Sequence, residues 1–239
     1  MKNPQALIVG VGSGLSASLA RLLHKEGYQL TLAARNTEKI MPLAEEVNAN
    51  AVSCDGSDPQ SVDALFAAIE DPLRVVVYNP SARQRGPIAE LDPDEVKRAV
   101  EITAFGSFLV GQQAARRMLA QPDAEDHRGG VKGTILFTGA SAGVKGFPSS
   151  ASFAMGKFAQ RGLAQSMARE LHPKGIHVAW INIDGGIRNP DRPERIDATD
   201  NPDSMLDPDA IAQSYLDLIN QHRSVWSNEL SVRPWVERF

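Results

Sequence analysis

Short runs of β-branched and aliphatic residues alternate along the chain with longer segments whose apolar positions recur at helical spacing. That alternation is the pattern of a parallel sheet joined by crossover helices. It predicts strands at Ala6–Gly10, Gln29–Ala34, Ala51–Cys54, Arg74–Tyr78, Gly133–Thr138, Ile176–Ile183 and Glu229–Val232. Between them it predicts helices at Leu15–Glu26, Thr37–Val47, Pro59–Ile69, Pro93–Thr103, Gly106–Ala120, Ser152–Leu171 and Pro208–Gln221. Asn36 and Asp207 stand where helix-capping side chains belong, ahead of Thr37 and Pro208. Seven strands suffice for a doubly wound α/β sheet with helices on both faces.

Two segments lack either period. Gln121–Gly130 is polar and closes on a glycine pair, and Arg188–Asp207 holds three prolines. The second follows a strand end, where ligands sit in open α/β sheets, and residues 188–207 are therefore the candidate substrate lid.

The 239 residues are 42% hydrophobic, enough to bury a large core as a single domain over 1–239. The formal charge of -4 comes without a basic run, which argues against nucleic acid and anionic membranes as partners. Arg116-Arg117 reads as solvated helix surface. Cys54 is the single cysteine, so an internal disulfide and a thiolate metal cluster are excluded, and no other metal ligand set stands out. No apolar run is long enough to span a bilayer and no signal-peptide core is visible, so a soluble, cytoplasmic protein is expected.

The first chemical motif is Ile8-Val9-Gly10-Val11-Gly12-Ser13-Gly14-Leu15-Ser16, a glycine-rich turn after the first strand that opens a helix. Such a turn lets backbone amides at a helix N-terminus approach a pyrophosphate, and it also occurs as an ordinary tight connection. At the end of the second strand, Ala33-Ala34-Arg35 offers no carboxylate for a ribose 2′-hydroxyl. The Arg35 guanidinium suits a 2′-phosphate, which favours NADP(H) over NAD(H), although a solvated strand-end arginine looks the same. A third motif is Phe153-Ala154-Met155-Gly156-Lys157. A lysine four residues after an aromatic shares its helical face, the spacing by which an ammonium lowers the pKa of a phenol. Phenylalanine has no proton to give.

These residues together resemble the short-chain dehydrogenase/reductase family over nearly the whole chain. Gly10–Ser16 resembles its glycine-rich turn, Cys54-Asp55 its aspartate beside the adenine ring, and Tyr78-Asn79-Pro80-Ser81 its Asn-Asn-Ala-Gly segment. Asp184-Gly185-Gly186-Ile187-Arg188-Asn189 resembles the element over the nicotinamide carboxamide. The resemblance implies a Rossmann-like fold and a cofactor site including Gly10, Gly12, Ser13, Gly14, Leu15, Arg35, Asp55, Asn79, Lys157, Gly185 and Ile187. It also implies a small-molecule substrate and a homodimer or homotetramer, formed through helices Gly106–Ala120 and Ser152–Leu171.

The family's Asn-Ser-Tyr-Lys proton relay is only partly matched. Thr103, Ala140 and Phe153 occupy the asparagine, serine and tyrosine places, and Lys157 alone is kept as the catalytic residue. Ser141 is a neighbour of the serine place, not its match. Ser149, Ser150 and Ser152 read as helix-start serines, Tyr78 as a packed tyrosine near the cofactor or else a proton donor, and Asp123 and Glu125 as solvated loop carboxylates. Two functions follow: an NADP(H)-dependent oxidoreductase moving hydride by an altered proton relay, or a non-catalytic NADP(H)-binding sensor or scaffold.

Overall fold

Strand and helix alternate in the order β1 (Gln5–Val9), α1 (Leu15–Lys25), β2 (Gln29–Ala34), α2 (Met41–Glu46), β3 (Asn50–Ser53), α3 (Pro59–Ala67) and β4 (Leu73–Tyr78). There follow α4 (Pro93–Val100), α5 (Gly106–Ala120), β5 (Gly133–Thr138), α6 (Ala151–Leu171), β6 (Ile176–Ile183), α7 (Pro208–Ile219) and β7 (Glu229–Val232). The computed structural model describes residues 3–69, 72–123, 130–189 and 191–236. The seven strands form one parallel sheet in the order β3-β2-β1-β4-β5-β6-β7, so the Rossmann-like, doubly wound architecture is present.

The strands read as continuous apolar runs because both sheet faces are covered. Alternate residues serve opposite cores: Ala6 and Ile8 of β1 with Ala179, Ile181 and Ile183 of β6 pack beneath α1, α2 and α7. Leu7 and Val9 with Val178 and Trp180 pack beneath α3, α5 and α6.

Element ends move by a few residues from the expected ones, and two helices change character. In the expected helix Thr37–Val47, Asn36 Oδ1 accepts the Glu38 N–H (3.0 Å) and starts a 3₁₀ turn over Glu38–Ile40. The α-helix itself begins at Met41, because Pro42 lacks an amide hydrogen and fits only a first helical turn. The expected helix Pro93–Thr103 ends at Val100 and widens into a π turn, Glu101–Phe105, that runs directly into α5. Asp207 caps α7 as expected, its Oδ1 accepting from Asp209 N (2.8 Å) and Ala210 N (3.1 Å).

Two surface assignments need correction. The Arg117 guanidinium donates to Phe66 O (2.5 Å) and to Ile69 O, satisfying carbonyls at the C-terminal end of α3 rather than lying solvated. Gln121 is buried instead of opening a polar loop: its Oε1 accepts from Leu73 N (3.0 Å) and its Nε2 donates to Leu73 O (2.7 Å), pinning the start of β4. Residues 124–129, including Glu125, lie outside the described residues.

His177 on β6 is 1% exposed, and its Nε2 donates to Ser227 O (2.8 Å). Among the described residues its Nδ1 has no partner, and the ring packs against His172 and Trp226. Burial pushes its pKa down from 6.5 to about 4. The unfolded chain therefore binds a proton that the folded chain refuses between those values. Stability is full above the unfolded value and falls as pH drops toward the folded one, by about 3 kcal/mol. Calorimetric Tm across this range should decline for the wild type and much less for His177→Leu. Parallel curves would show that this ring does not carry the acid sensitivity.

Candidate active site

Strand register sets the location of the site. Val9 pairs with Ala33 and Tyr78, and Tyr78 with Phe137, so Gly10, Asn79 and the last β5 residue, Thr138, come to one level at the sheet edge. Strand order reverses between β1 and β4, and the connections diverge to opposite faces and open a crevice. This crevice is a cavity of about 970 Å³. It is lined by Gly10, Gly12, Ser13, Gly14 and Leu15, by Arg35, Asp55 and Asn79, and by Ala140, Phe153, Lys157, Gly185 and Ile187.

Gly10 has φ +81°, and a Cβ there would lie 2.6 Å from Pro80 Cγ, so the β1 turn and the β4 exit can meet only at a glycine. The turn is braced from outside. Asn79 Nδ2 donates to Gly10 O (3.2 Å) and Ser16 Oγ (2.8 Å), and Ser16 Oγ donates to Gly10 O (3.2 Å). Asn79 thus spends its amide nitrogen on shaping the turn. At the β2 end, Arg35 is joined by Lys39, a second cation that the sequence reading did not select. Asp55 Oδ1 accepts from Ser57 Oγ (2.7 Å) and Ser57 N (3.0 Å), and these bonds, ahead of Arg35, hold its carboxyl below the usual carboxylate range.

The opposite end carries the relay positions. Lys157 is 2% exposed, not a surface lysine; its Nζ donates to Thr138 O (2.5 Å) and Gln160 Oε1 (3.2 Å). Gln160 is fixed in turn by donating to Ser107 Oγ (2.9 Å) and accepting from Trp180 Nε1 (3.3 Å). Burial pushes the Lys157 pKa down to about 7. Its Nζ lies 6.0 Å from the Phe153 ring centroid. Gly156 brings α6 against the π turn, since a Cβ there would stand 2.8 Å from Thr103 Cβ. Ala140 and Ser141 both line the cavity, so a hydroxyl stands one residue from the serine place.

Tyr78 is fully buried, its hydroxyl donating to Ile102 O (2.5 Å), and burial pushes its pKa up. It is a packed tyrosine and no proton donor.

The three serines at the start of α6 behave differently from simple caps. Ser150 makes no capping bond, and Ser149 adopts φ +55°. Ser152 instead reaches the loop after β4: its Oγ accepts from Gln84 N (2.9 Å) and donates to Gln84 O (3.1 Å). Beside it, Thr103 Oγ1 accepts from Ala82 N (3.0 Å). Between these anchors Arg83 lays its guanidinium over Phe153, 3.9 Å from the ring centroid. The candidate lid folds over the glycine turn through Asn189 Nδ2 and Ser13 Oγ (3.3 Å). Arg188 holds it by salt bridges to Asp197 (3.2 Å) and Asp207.

With this geometry, the family description short chain dehydrogenase matches residues 4–191. The chain belongs to the short-chain dehydrogenase/reductase family. A crystal structure of a short-chain dehydrogenase from Rhodopseudomonas palustris is 33% identical with a TM-score of 0.80, covering 98% of this chain and 100% of that one. An uncharacterized oxidoreductase of Staphylococcus aureus strain USA300 is 26% identical over 238 residues, 96% of each chain. A metagenomic short-chain oxidoreductase in complex with NADP shares the fold at 24% identity, with a TM-score of 0.79 and 98% coverage of both chains. Within this short-chain dehydrogenase/reductase, the turn after β1 and the walls of the cavity fit a dinucleotide. The glycine cradle leaves room for it, since a Cβ on Gly12 would meet nothing within 4 Å. Among the described residues no helix is long and apolar enough to cross a membrane.

Proposed function

We propose that the chain is an NADP(H)-dependent oxidoreductase that moves hydride to or from a small organic substrate by an altered proton relay. The observation that carries this reading is one continuous cavity running from Arg35 and Lys39 past the glycine turn to Phe153 and Lys157. Arg35 and Lys39 suit a ribose 2′-phosphate, and Asp55 the adenine side. The amides of Gly12, Ser13 and Gly14, at the start of α1, suit the pyrophosphate. Gly185 and Ile187 border the nicotinamide end. When bound, the dinucleotide supplies or accepts the hydride.

Lys157 has two roles in this reading. Its ammonium favours a ribose hydroxyl or a developing oxyanion, and a pKa about 7 lets it pass a proton through water at neutral pH. Phe153 and Ala140 can hold substrate but donate nothing. Exposed Phe105 and Phe108 on the α5 side, with Met155 and Phe158 on α6, leave an apolar surface for a second copy, as a homodimer or homotetramer.

The second reading, a non-catalytic NADP(H) sensor or scaffold, is favoured by the absence of a transferable proton at positions 140 and 153. NADPH titration by fluorescence, followed by a screen of ketones, enones and imines for cofactor oxidation, separates them. Binding with turnover supports the oxidoreductase, binding without turnover the sensor, and neither removes both. Arg35→Ala with Lys39→Ala should weaken NADPH about tenfold while leaving NADH unchanged. An equal loss for both cofactors would reject the preference for NADP(H).

A further inference from the structure

We propose that the substrate carries an anionic oxygen group, a carboxylate or phosphate, beside its reacting carbon, and that Arg83 on the face of Phe153 receives it. This rests on reading the cavity as the hydride-transfer site.

Arg83 is an exposed residue in a loop, and such arginines ordinarily wander. This one is placed. The backbone N–H groups on either side of it, at Ala82 and Gln84, donate to the hydroxyls of Thr103 and Ser152, both 0% exposed. Ser152 also closes on Gln84 O, and Gly86 N donates to Ser149 O (3.3 Å). Two buried hydroxyls, one of them at the asparagine place of the relay, are thus spent on fixing the loop around residue 83. The side chain is then held by stacking on Phe153, an arrangement open to guanidinium because its planar face is weakly hydrated. The aromatic at the tyrosine place therefore serves as a platform for a cation.

The charge around it is unbalanced. Arg192 and Arg195 line the same cavity, Arg195 close enough to act on the Arg83 charge, and Arg195 lies against Gly186, where a Cβ would meet its Nη1 at 2.9 Å. Among the described residues no hydrogen bond or salt bridge engages the guanidinium groups of Arg83, Arg192 or Arg195. Asp55 and Asp191 are the carboxylates among the residues that line the cavity, and Asp55 is bonded to Ser57 at the β2 end. Burial and the neighbouring charges of Arg85 and Arg195 push the Arg83 pKa down. The like charges of Arg85 and Arg195 repel that of Arg83, and a ligand anion removes that repulsion. A planar fork with free donors beside Phe153 matches the paired oxygens of a carboxylate or phosphate.

Matched ligands test this by calorimetric titration, with and without saturating NADPH: pyruvate against pyruvamide, and dihydroxyacetone phosphate against dihydroxyacetone. Wild-type protein should prefer the anion of at least one pair by about 30-fold, and the pair that responds tells carboxylate from phosphate. Arg83→Gln should abolish that preference, Arg83→Lys should keep a minor part, and Arg116→Gln, an exposed change on α5, should leave it intact. Anion and neutral partner binding equally, or a preference surviving Arg83→Gln, would overturn the proposal. An Arg83-dependent preference in protein that fails to bind NADPH would leave the anion site standing and remove the dinucleotide reading instead.

Discussion

Phe153→Tyr combined with Ala140→Ser is expected to raise NADPH-dependent ketone reduction by about two to four powers of ten over the wild-type chain, the range contributed by a positioned general acid. The ring at position 153 already lines the cavity, and Lys157 Nζ lies 6.0 Å from its centroid, so an added phenol enters the field of an ammonium. The Arg83 guanidinium, 3.9 Å over the same ring, acts in the same direction: both cations favour the phenolate and lower its pKa toward neutrality. Ala140 has extended backbone (φ -161°, ψ 162°) just past β5 and lines the same cavity, so a serine hydroxyl is accommodated there. NADPH consumption with a ketone panel, compared across wild type, both single variants and the double variant, reads the gain. A folded, NADPH-binding double variant with no gain would mean that this end of the cavity is not the place of hydride transfer.

Lys157→Met should produce the other large change, a fall in turnover of about two to four powers of ten together with loss of a pH limb. Reduction consumes a proton, so it needs the ammonium form of Lys157. Wild-type activity should therefore decline as pH rises through about 7, the value to which burial brings this group. The variant has no group to titrate and its residual rate should be flat across that interval. Folding is not the expected casualty: Met is close in length, and it removes the need to bury an ammonium that, among the described residues, Thr138 O and Gln160 Oε1 alone satisfy. An unchanged Tm alongside the lost rate separates chemistry from stability. A variant retaining both the rate and the pH limb would place the proton source elsewhere, with Ser141, a hydroxyl lining the same cavity, the first to examine.

Much of the fold was legible because strands buried on both faces must be apolar throughout, and helices covering them must be apolar on one side. β5 and β6 match their expected limits at Gly133–Thr138 and Ile176–Ile183 for that reason. The helix at Thr37–Val47 was misjudged since its period continues through Pro42, where the backbone cannot. Position 103 was readable as a departure from the family motif. Its new partner was not, because Ala82 lies 21 residues away and is joined to it only across the cavity rim. Arg83 carried no signal at all: an arginine in a polar loop after a strand end, with Arg85 two residues on, looks like surface.

The chain alone determined the parallel sheet, the glycine turn, the loss of a proton at positions 140 and 153, and the retained lysine, since each depends on local spacing or on the identity of one residue. Only the tertiary structure decided that Lys157 is almost wholly buried at the cavity wall with a depressed pKa, that Thr103 and Ser152 hold the loop of Arg83, and that a guanidinium covers the Phe153 ring. Burial, and the pairing of polar atoms distant in sequence, exist only once the sheet brings its strand ends to one edge.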